Sequence, residues 1–139
     1  VYCIDASVLV AIFDESDIFH RISLELFESI VQTDTKILIP AFALVEVAGA
    51  LSRKGHHYDN VIEYLYRLRS HRNIEFLAMT TELYELAADI AIQLKVKGAD
   101  SIYIAVSYHY NLKLVTYDNE QRDRGGKIVA TATPEECSI

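Results

Sequence analysis

The chain opens on an apolar run interrupted by one acid, Val1-Tyr2-Cys3-Ile4-Asp5-Ala6-Ser7-Val8-Leu9-Val10. A short run this apolar and rich in β-branched residues reads as a buried strand. Open α/β sheets bind their ligands at the carboxyl ends of strands, which is where Asp5 falls. A buried carboxylate is costly without a cation, a proton or hydrogen-bond donors beside it. The opening therefore predicts both a sheet and a polar site at its edge.

The remaining sequence alternates between the two periodicities. Val8 to Asp14 reads as a short helix and Glu15-Ser16-Asp17 as a break. Ile18, Ile22, Leu26 and Ile30 recur at helical spacing, which predicts an amphipathic helix over 18–31. A second strand is expected at Lys36–Ile39, closed by Pro40, followed by a helix over Ala41–Leu51 that is apolar around a single acid, Glu46. Arg53 and Lys54 suit the end of that helix, and Gly55 its stop. Tyr58–Ser70 reads as a helix with Asp59 as its cap, and Asn73–Ala78 as the third strand. A long helix is expected from Thr80 or Thr81 to about Lys97, stopped by Gly98. Another should follow from Ala99-Asp100-Ser101 to about Tyr110. Leu112–Thr116 reads as the fourth strand and Lys127–Ala130 as a short fifth. Strands alternating with helices imply parallel βαβ units with right-handed crossovers. With 139 residues and no linker or repeat, residues 1–139 are expected to form one domain.

Composition narrows the function. A net charge of −7 argues against nucleic acid held in a general positive field. It leaves room for a nuclease, since two divalent cations held by four acids would offset more than half of it. Cys3 and Cys137 are distant in sequence and form no C-x-x-C motif, which suggests a reducing, cytoplasmic setting. No apolar run approaches the roughly 18 residues of a membrane helix. No basic stretch precedes the opening run, so a signal peptide is not expected there. The missing initiator Met leads us to expect a residue or two ahead of Val1.

Four acids deserve weighing together. Asp5 and Asp118 leave the ends of predicted strands, while Glu46 and Asp100 lie on helices that follow other strands. Each has an ordinary explanation: a turn acid, a salt bridge from Glu46 to Arg53, or a helix cap at Asp100 or Asp118. As a set they are harder to dismiss. Carboxylates about 4 Å apart repel by roughly 4 kcal/mol at an effective dielectric of 20, so such a cluster protonates or binds cations. Oxygen-only ligands favour hard ions, Mg²⁺ or Mn²⁺ over zinc. Ser7, two residues after Asp5, and Thr116, two before Asp118, add hydroxyls to the same places.

The motifs I-D-A-S-V-L-V, P-A-F-A-L-V-E-V-A-G-A-L, G-A-D-S-I-Y-I-A and L-V-T-Y-D-N-E-Q-R-D-R occur in that order along nearly the whole chain. They resemble the PIN-domain family, in particular its small VapC-type toxins of prokaryotic toxin–antitoxin pairs. The resemblance implies a three-layer α/β/α fold on a five-stranded parallel sheet of order 3-2-1-4-5. It also implies a Mg²⁺-dependent (or Mn²⁺-dependent) endoribonuclease with one or two ions per site. Asp5, Glu46, Asp100 and Asp118 would be its catalytic metal ligands, with Ser7 and Thr116 as supporting hydroxyls. Asp123 would be at most an outlying acid. A homodimer and a cognate antitoxin protein follow by resemblance only.

No histidine falls inside these motifs, so His20, His56, His57, His71 and His109 are expected to be surface or structural, and the general base stays unassigned. RNA contact must come from local cations. Arg122 and Arg124, with Lys127, lie nearest Asp118 and are the first choice. Arg53-Lys54 with His56-His57 is a second group, and Arg67 to Arg72 reads as a solvated face. Nine tyrosines and no tryptophan leave Tyr64, Tyr66, Tyr108 and Tyr110 for base stacking or, more in keeping with their number, protein contact.

Other readings fit less well. A haloacid-dehalogenase-type phosphatase needs a second Asp where Ser7 stands. A receiver domain needs an acid pair at the first strand and an Asp after the third, where Ala78-Met79-Thr80 occurs. The remaining alternatives are a PIN-fold nuclease in RNA processing and a non-catalytic PIN-fold binding module.

Overall fold

In the computed structural model, which describes residues 1–137, helices and strands alternate as the sequence predicts. The elements are β1 (Tyr2–Ile4), α1 (Ala6–Phe13), α2 (His20–Gln32), β2 (Ile37–Pro40), α3 (Ala43–Arg53), α4 (Tyr58–Ser70) and β3 (Ile74–Leu77). They continue with α5 (Thr81–Leu94), α6 (Gly98–Tyr110), β4 (Lys113–Val115), α7 (Asn119–Gly125), β5 (Thr131–Ala132) and a 3₁₀ turn at Pro134–Glu136. The five strands form one sheet of order 3-2-1-4-5, all neighbours parallel, as expected.

The core follows from the patterns. Cys3, Ile4, Ile37, Ile39, Leu114 and Val115 are fully buried in the central strands. Helices α1 to α4 pack against one another, and α5 packs on α6, which also lies against β1, β2 and β4. Right-handed crossovers put these two groups on opposite faces of the sheet, because the chain reverses direction between β3 and β4. That reversal lies between β1 and β4, whose register pairs Ile4 with Val115. The next residues out, Asp5 and Thr116, therefore emerge side by side at the switch point.

Most element boundaries differ from expectation by a residue or two; Pro40, for one, is the last residue of β2. Helix α2 begins at His20, because the Asp17 carboxylate accepts the Phe19 amide (2.8 Å) in a turn that leaves Ile18 86% exposed. Helix α5 ends at Leu94 with Lys95 left-handed (φ 56°), three residues before Gly98, which instead begins α6. Arg124 makes that early stop stable by donating Nη1 to the Leu94 and Lys95 carbonyls. In α4 the cap position is His57, and Asp59 sits within the first turn.

The largest difference lies near the end. Residues 119–125 form α7, and the fifth strand is Thr131–Ala132 rather than 127–130. The Lys127, Ile128 and Val129 amides turn back onto the Arg124 and Gly125 carbonyls, so of this stretch only the Ala130 carbonyl, which accepts the Leu114 amide (2.8 Å), reaches the sheet. Gly126 permits the turn, since a Cβ there would stand 2.7 Å from the Arg122 carbonyl oxygen. None of the helices among the described residues is long and apolar enough to cross a membrane.

Candidate active site

Asp5 caps α1 where β1 ends. Its Oδ1 accepts the Ser7 hydroxyl (2.6 Å) and the Val8 amide (3.4 Å), and its Oδ2 accepts the Thr116 hydroxyl (2.6 Å). Each hydroxyl also accepts a backbone amide from beyond β4. Thr116 Oγ1 takes the amide of Asp118 (3.0 Å), and Ser7 Oγ that of Tyr117 (3.3 Å). Two short side chains thus stitch the ends of the switch-point strands through one carboxylate. Asp5 is only 6% exposed, and burial pushes its carboxyl up to about 6. The hydrogen bonds from Ser7, Thr116 and Val8 restrain that rise, while the charge of Glu46 adds to it.

The other three acids also stand at helix starts. Glu46 is in the first turn of α3 and accepts the hydroxyl of Tyr103 (2.6 Å). Tyr103 is 2% exposed, and burial together with Glu46 pushes its phenol far above the ordinary value. Asp100 is in the first turn of α6 and half-buried. Burial, then the charges of Asp118, Glu46 and Glu120, push its carboxyl up to about 6, with Lys97 opposing them. Asp118 caps α7 and accepts the Gln121 amide (2.8 Å). The turn and cap explanations hold for Asp5 and Asp118. They do not compete with a site, because each acid stands at a positive helix end and the set is coupled by charge, Glu46 acting on Asp5 and both Asp118 and Glu46 on Asp100.

These side chains fit a hard cation by chemistry, being oxygen donors among which the charge of Glu46 raises Asp5 and those of Asp118 and Glu46 raise Asp100. They are not closed around one. Among the described residues no three His, Cys, Asp or Glu side chains stand together closely enough to hold an ion. A cation would have to draw the acids in from the rotamers they occupy.

Several residues important to this architecture have no clear signal in the sequence. Gln121 is fully buried; its Nε2 donates to the Asp100 carbonyl (3.3 Å), and its Oε1 has no partner. It ties α7 to the start of α6, setting Asp118 beside Asp100. Asp14, 1% exposed, accepts Lys54 Nζ (2.8 Å) and the Ser16 hydroxyl (2.7 Å), with His56 Nε2 at 3.3 Å. Lys54 and Ser16 hold that carboxyl well below the usual range. This clamp joins the far ends of α1 and α3, and Asp17 shares Lys54 at 3.4 Å.

A cleft of about 710 Å³ runs between α1 and α3, lined by Ser7, Glu46, Gly49, Ala50, Arg53 and Lys54 among others. A second, of about 440 Å³, shares Ser7, Asp17 and Lys54 with it and continues to Phe19 and Tyr117. Those two rings stack at 4.0 Å, and Tyr117 and Ser23 share a hydroxyl hydrogen bond (2.7 Å). A third cleft, about 670 Å³ near Tyr2, Asn111 and Lys113, contains no acid. The chemistry therefore lies at the carboxyl end of the sheet.

The expected RNA-contacting arginines are otherwise engaged. Arg122 donates to the Thr116 carbonyl (3.1 Å) and the Asn119 side chain, and Arg124 caps α5. Asp123 is exposed on α7, away from these contacts. Arg67 pairs with Glu63 and Arg72 with Asp34, in keeping with a solvated face. His20 contacts the Ala11 carbonyl and His71 accepts the Asn73 amide, both structural uses. The ion pair from Glu46 to Arg53, the ordinary alternative for that acid, does not occur among the described residues. Tyr64 is spoken for, donating to the Leu9 carbonyl (2.6 Å), whereas Tyr66, Tyr108 and Tyr110 are exposed.

Comparison with known proteins agrees with this fold. The fold is similar to that of Mycobacterium tuberculosis VapC20, described as a sarcin–ricin-loop-cleaving toxin. That match has 17% identity and a TM-score of 0.78 over 90% of this chain and 95% of that one. It is also similar to a chain of a Klebsiella pneumoniae toxin–antitoxin complex (16% identity, TM-score 0.74, 96% and 98% coverage). A third likeness is to VapBC2 of Rickettsia felis bound to a promoter DNA fragment (14%, 0.71, 95% and 97%). No curated protein matches the sequence. Residues 2–127 match the PIN domain, and the chain belongs to that family.

Proposed function

We propose that this chain is a metal-dependent endoribonuclease, one PIN domain over residues 1–139, and the toxin of a toxin–antitoxin pair. The observation that carries the reading is the set of four acids at four helix starts, with Asp5 and Asp100 pushed up to about 6 by burial, to which the charge of Glu46 adds at Asp5 and those of Asp118 and Glu46 add at Asp100. A group of acids arranged at that energetic cost is a mark of function rather than of stability. The likeness to toxins and toxin–antitoxin complexes supports the biological role, RNA as substrate and a cognate antitoxin; the reading also takes the chain to be a homodimer in a cytoplasmic setting. Cys3 and Cys137, both free and buried, accord with that setting.

Asp5, Glu46, Asp100 and Asp118 would hold one or two Mg²⁺ or Mn²⁺ ions. When bound, such ions supply Lewis-acid stabilisation to a phosphodiester and lower the pKa of water at the site. The protein's own part is orientation. Ser7 and Thr116 fix both oxygens of Asp5, and their hydrogen bonds favour its ionised form. Tyr103 fixes Glu46 from the side of α6. Gln121 keeps α6 and α7 together against the repulsion of Asp100 and Asp118. The Asp14–Lys54 clamp holds the walls of the cleft in place.

The test is cleavage of RNA by the purified chain in Mg²⁺ or Mn²⁺. Asp5→Asn and Asp100→Asn should each abolish cleavage while circular dichroism stays native. Full turnover by either variant would refute the assignment, and metal binding without any cleavage would favour a non-catalytic binding module.

A further inference from the structure

The cleft beside the acids contains a cation used neither by the fold nor by the acid cluster. Arg53 follows Glu46 by seven residues on α3, which is two turns, roughly 10 Å along the axis and nearly the same face. Both residues line the 710 Å³ cleft, whose floor between them is small: Ala6, Gly49 and Ala50. Arg53 is exposed, and among the described residues no carboxylate lies within ion-pair distance of it. Of the other cations near the site, Lys54 is engaged by Asp14 and Asp17, Arg122 by Thr116 and Asn119, and Arg124 by the end of α5, while Lys97 stands by Asp100 and does not line the cleft. At Gly49 the space is open, with nothing within 4 Å of where a Cβ would stand.

We propose that Arg53, with the floor of Ala6, Gly49 and Ala50, forms a subsite for the sugar–phosphate backbone of single-stranded RNA, adjoining the phosphodiester held at the acids. A guanidinium presents a planar donor fork that matches phosphate. Two turns of α3 separate it from Glu46, so it meets a neighbouring phosphate rather than the reacting one. The small residues let a backbone approach the helix. The second cleft continues the track past Lys54 to the stacked rings of Phe19 and Tyr117. In a chain of net charge −7, affinity rests on a few such contacts, so losing one is readily measured. The subsite rests on the ribonuclease reading above.

The experiment is steady-state cleavage of a fluorophore–quencher single-stranded RNA in Mg²⁺ across a salt series. Arg53→Gln should raise KM about tenfold, the loss expected for one charge-assisted hydrogen bond. Its kcat should stay within about twofold, and the plot of log(kcat/KM) against log[salt] should flatten by roughly 0.7, one single-strand phosphate contact. Gly49→Leu, which favours the helix and fills the floor, should raise KM without lowering Tm or changing the salt slope. Wild-type KM and slope in Arg53→Gln, wild-type KM in Gly49→Leu, or equal cutting of duplex RNA would each overturn the subsite while leaving the ribonuclease reading standing. No cleavage by the wild-type chain with either Mg²⁺ or Mn²⁺ would instead remove the ribonuclease reading and the subsite with it.

Discussion

Replacing Asp5 with Asn should make the metal-free protein more stable at neutral pH, although it removes the central acid of the site. The carboxyl rises from 3.8 to about 6 on folding, chiefly through burial. Between those values the native state binds more protons than the unfolded chain, so stability falls as pH rises through that window. Above about pH 6 the penalty is fully present, about 3 kcal/mol at 1.36 kcal/mol per unit; below 3.8 it is absent. An Asn at this position keeps an oxygen for Ser7 and Val8, while its amide group meets the Thr116 hydroxyl, which loses an acceptor. That loss costs about 1 kcal/mol, leaving a net gain of about 2 kcal/mol at pH 7.5. Urea denaturation in EDTA at pH 7.5 and 4.5, followed by circular dichroism, measures it. The raised Asp100 titrates in both proteins and cancels from the comparison. The gain should shrink towards zero or reverse at pH 4.5. Equal stability differences at the two pH values, or a variant weaker at pH 7.5, would show that Asp5 is not held ionised against burial.

Further outcomes follow from individual contacts. Tyr103→Phe removes the only side-chain hydrogen bond to Glu46 among the described residues. Cleavage should fall 10- to 100-fold, as for partners that orient ligands, with a stability change near 1 kcal/mol; unchanged cleavage would mean that Glu46 needs no orienting. Lys54→Met leaves buried Asp14 without its cation and should cost about 2–3 kcal/mol in urea melts. That is below the range for fully buried pairs because Lys54 reaches water, and a loss under about 0.5 kcal/mol would count against the clamp. Gln121→Leu gives up one hydrogen bond but also removes an unpartnered buried oxygen, so thermal stability should be nearly unchanged. A loss above about 2 kcal/mol would show that this oxygen has a partner in solution.

The βα alternation and the positions of the four acids were legible because their causes are local, whereas the sheet order followed from the resemblance to the PIN-domain family. Apolar runs mark the strands, and an acid at a strand end reads directly from its neighbours. So do the hydroxyls of Ser7 and Thr116, two residues from Asp5 and Asp118. What escaped depends on partners far along the chain. Arg124, a candidate substrate contact by its place beside Asp118, caps a helix ending 30 residues earlier. Glu46 finds Tyr103 at a separation of 57 residues, and Asp14 finds Lys54 at 40. Helix α7 has little apolar periodicity, and the apolar stretch after it imitates the strand that actually begins at Thr131. Arg53 belonged to the second-ranked basic group, since its freedom shows only once its neighbours' partners are known.

The central claim is that four acids on four helix starts act as one cation site, although as they lie they are open. Titration of Mn²⁺ into the purified chain by calorimetry, repeated with Asp100→Asn, tests it most directly. The account predicts saturable uptake of one or two ions per chain by the wild type, greatly weakened in the variant while its fold is kept. No uptake by the wild type, or equal uptake by both proteins, would contradict it.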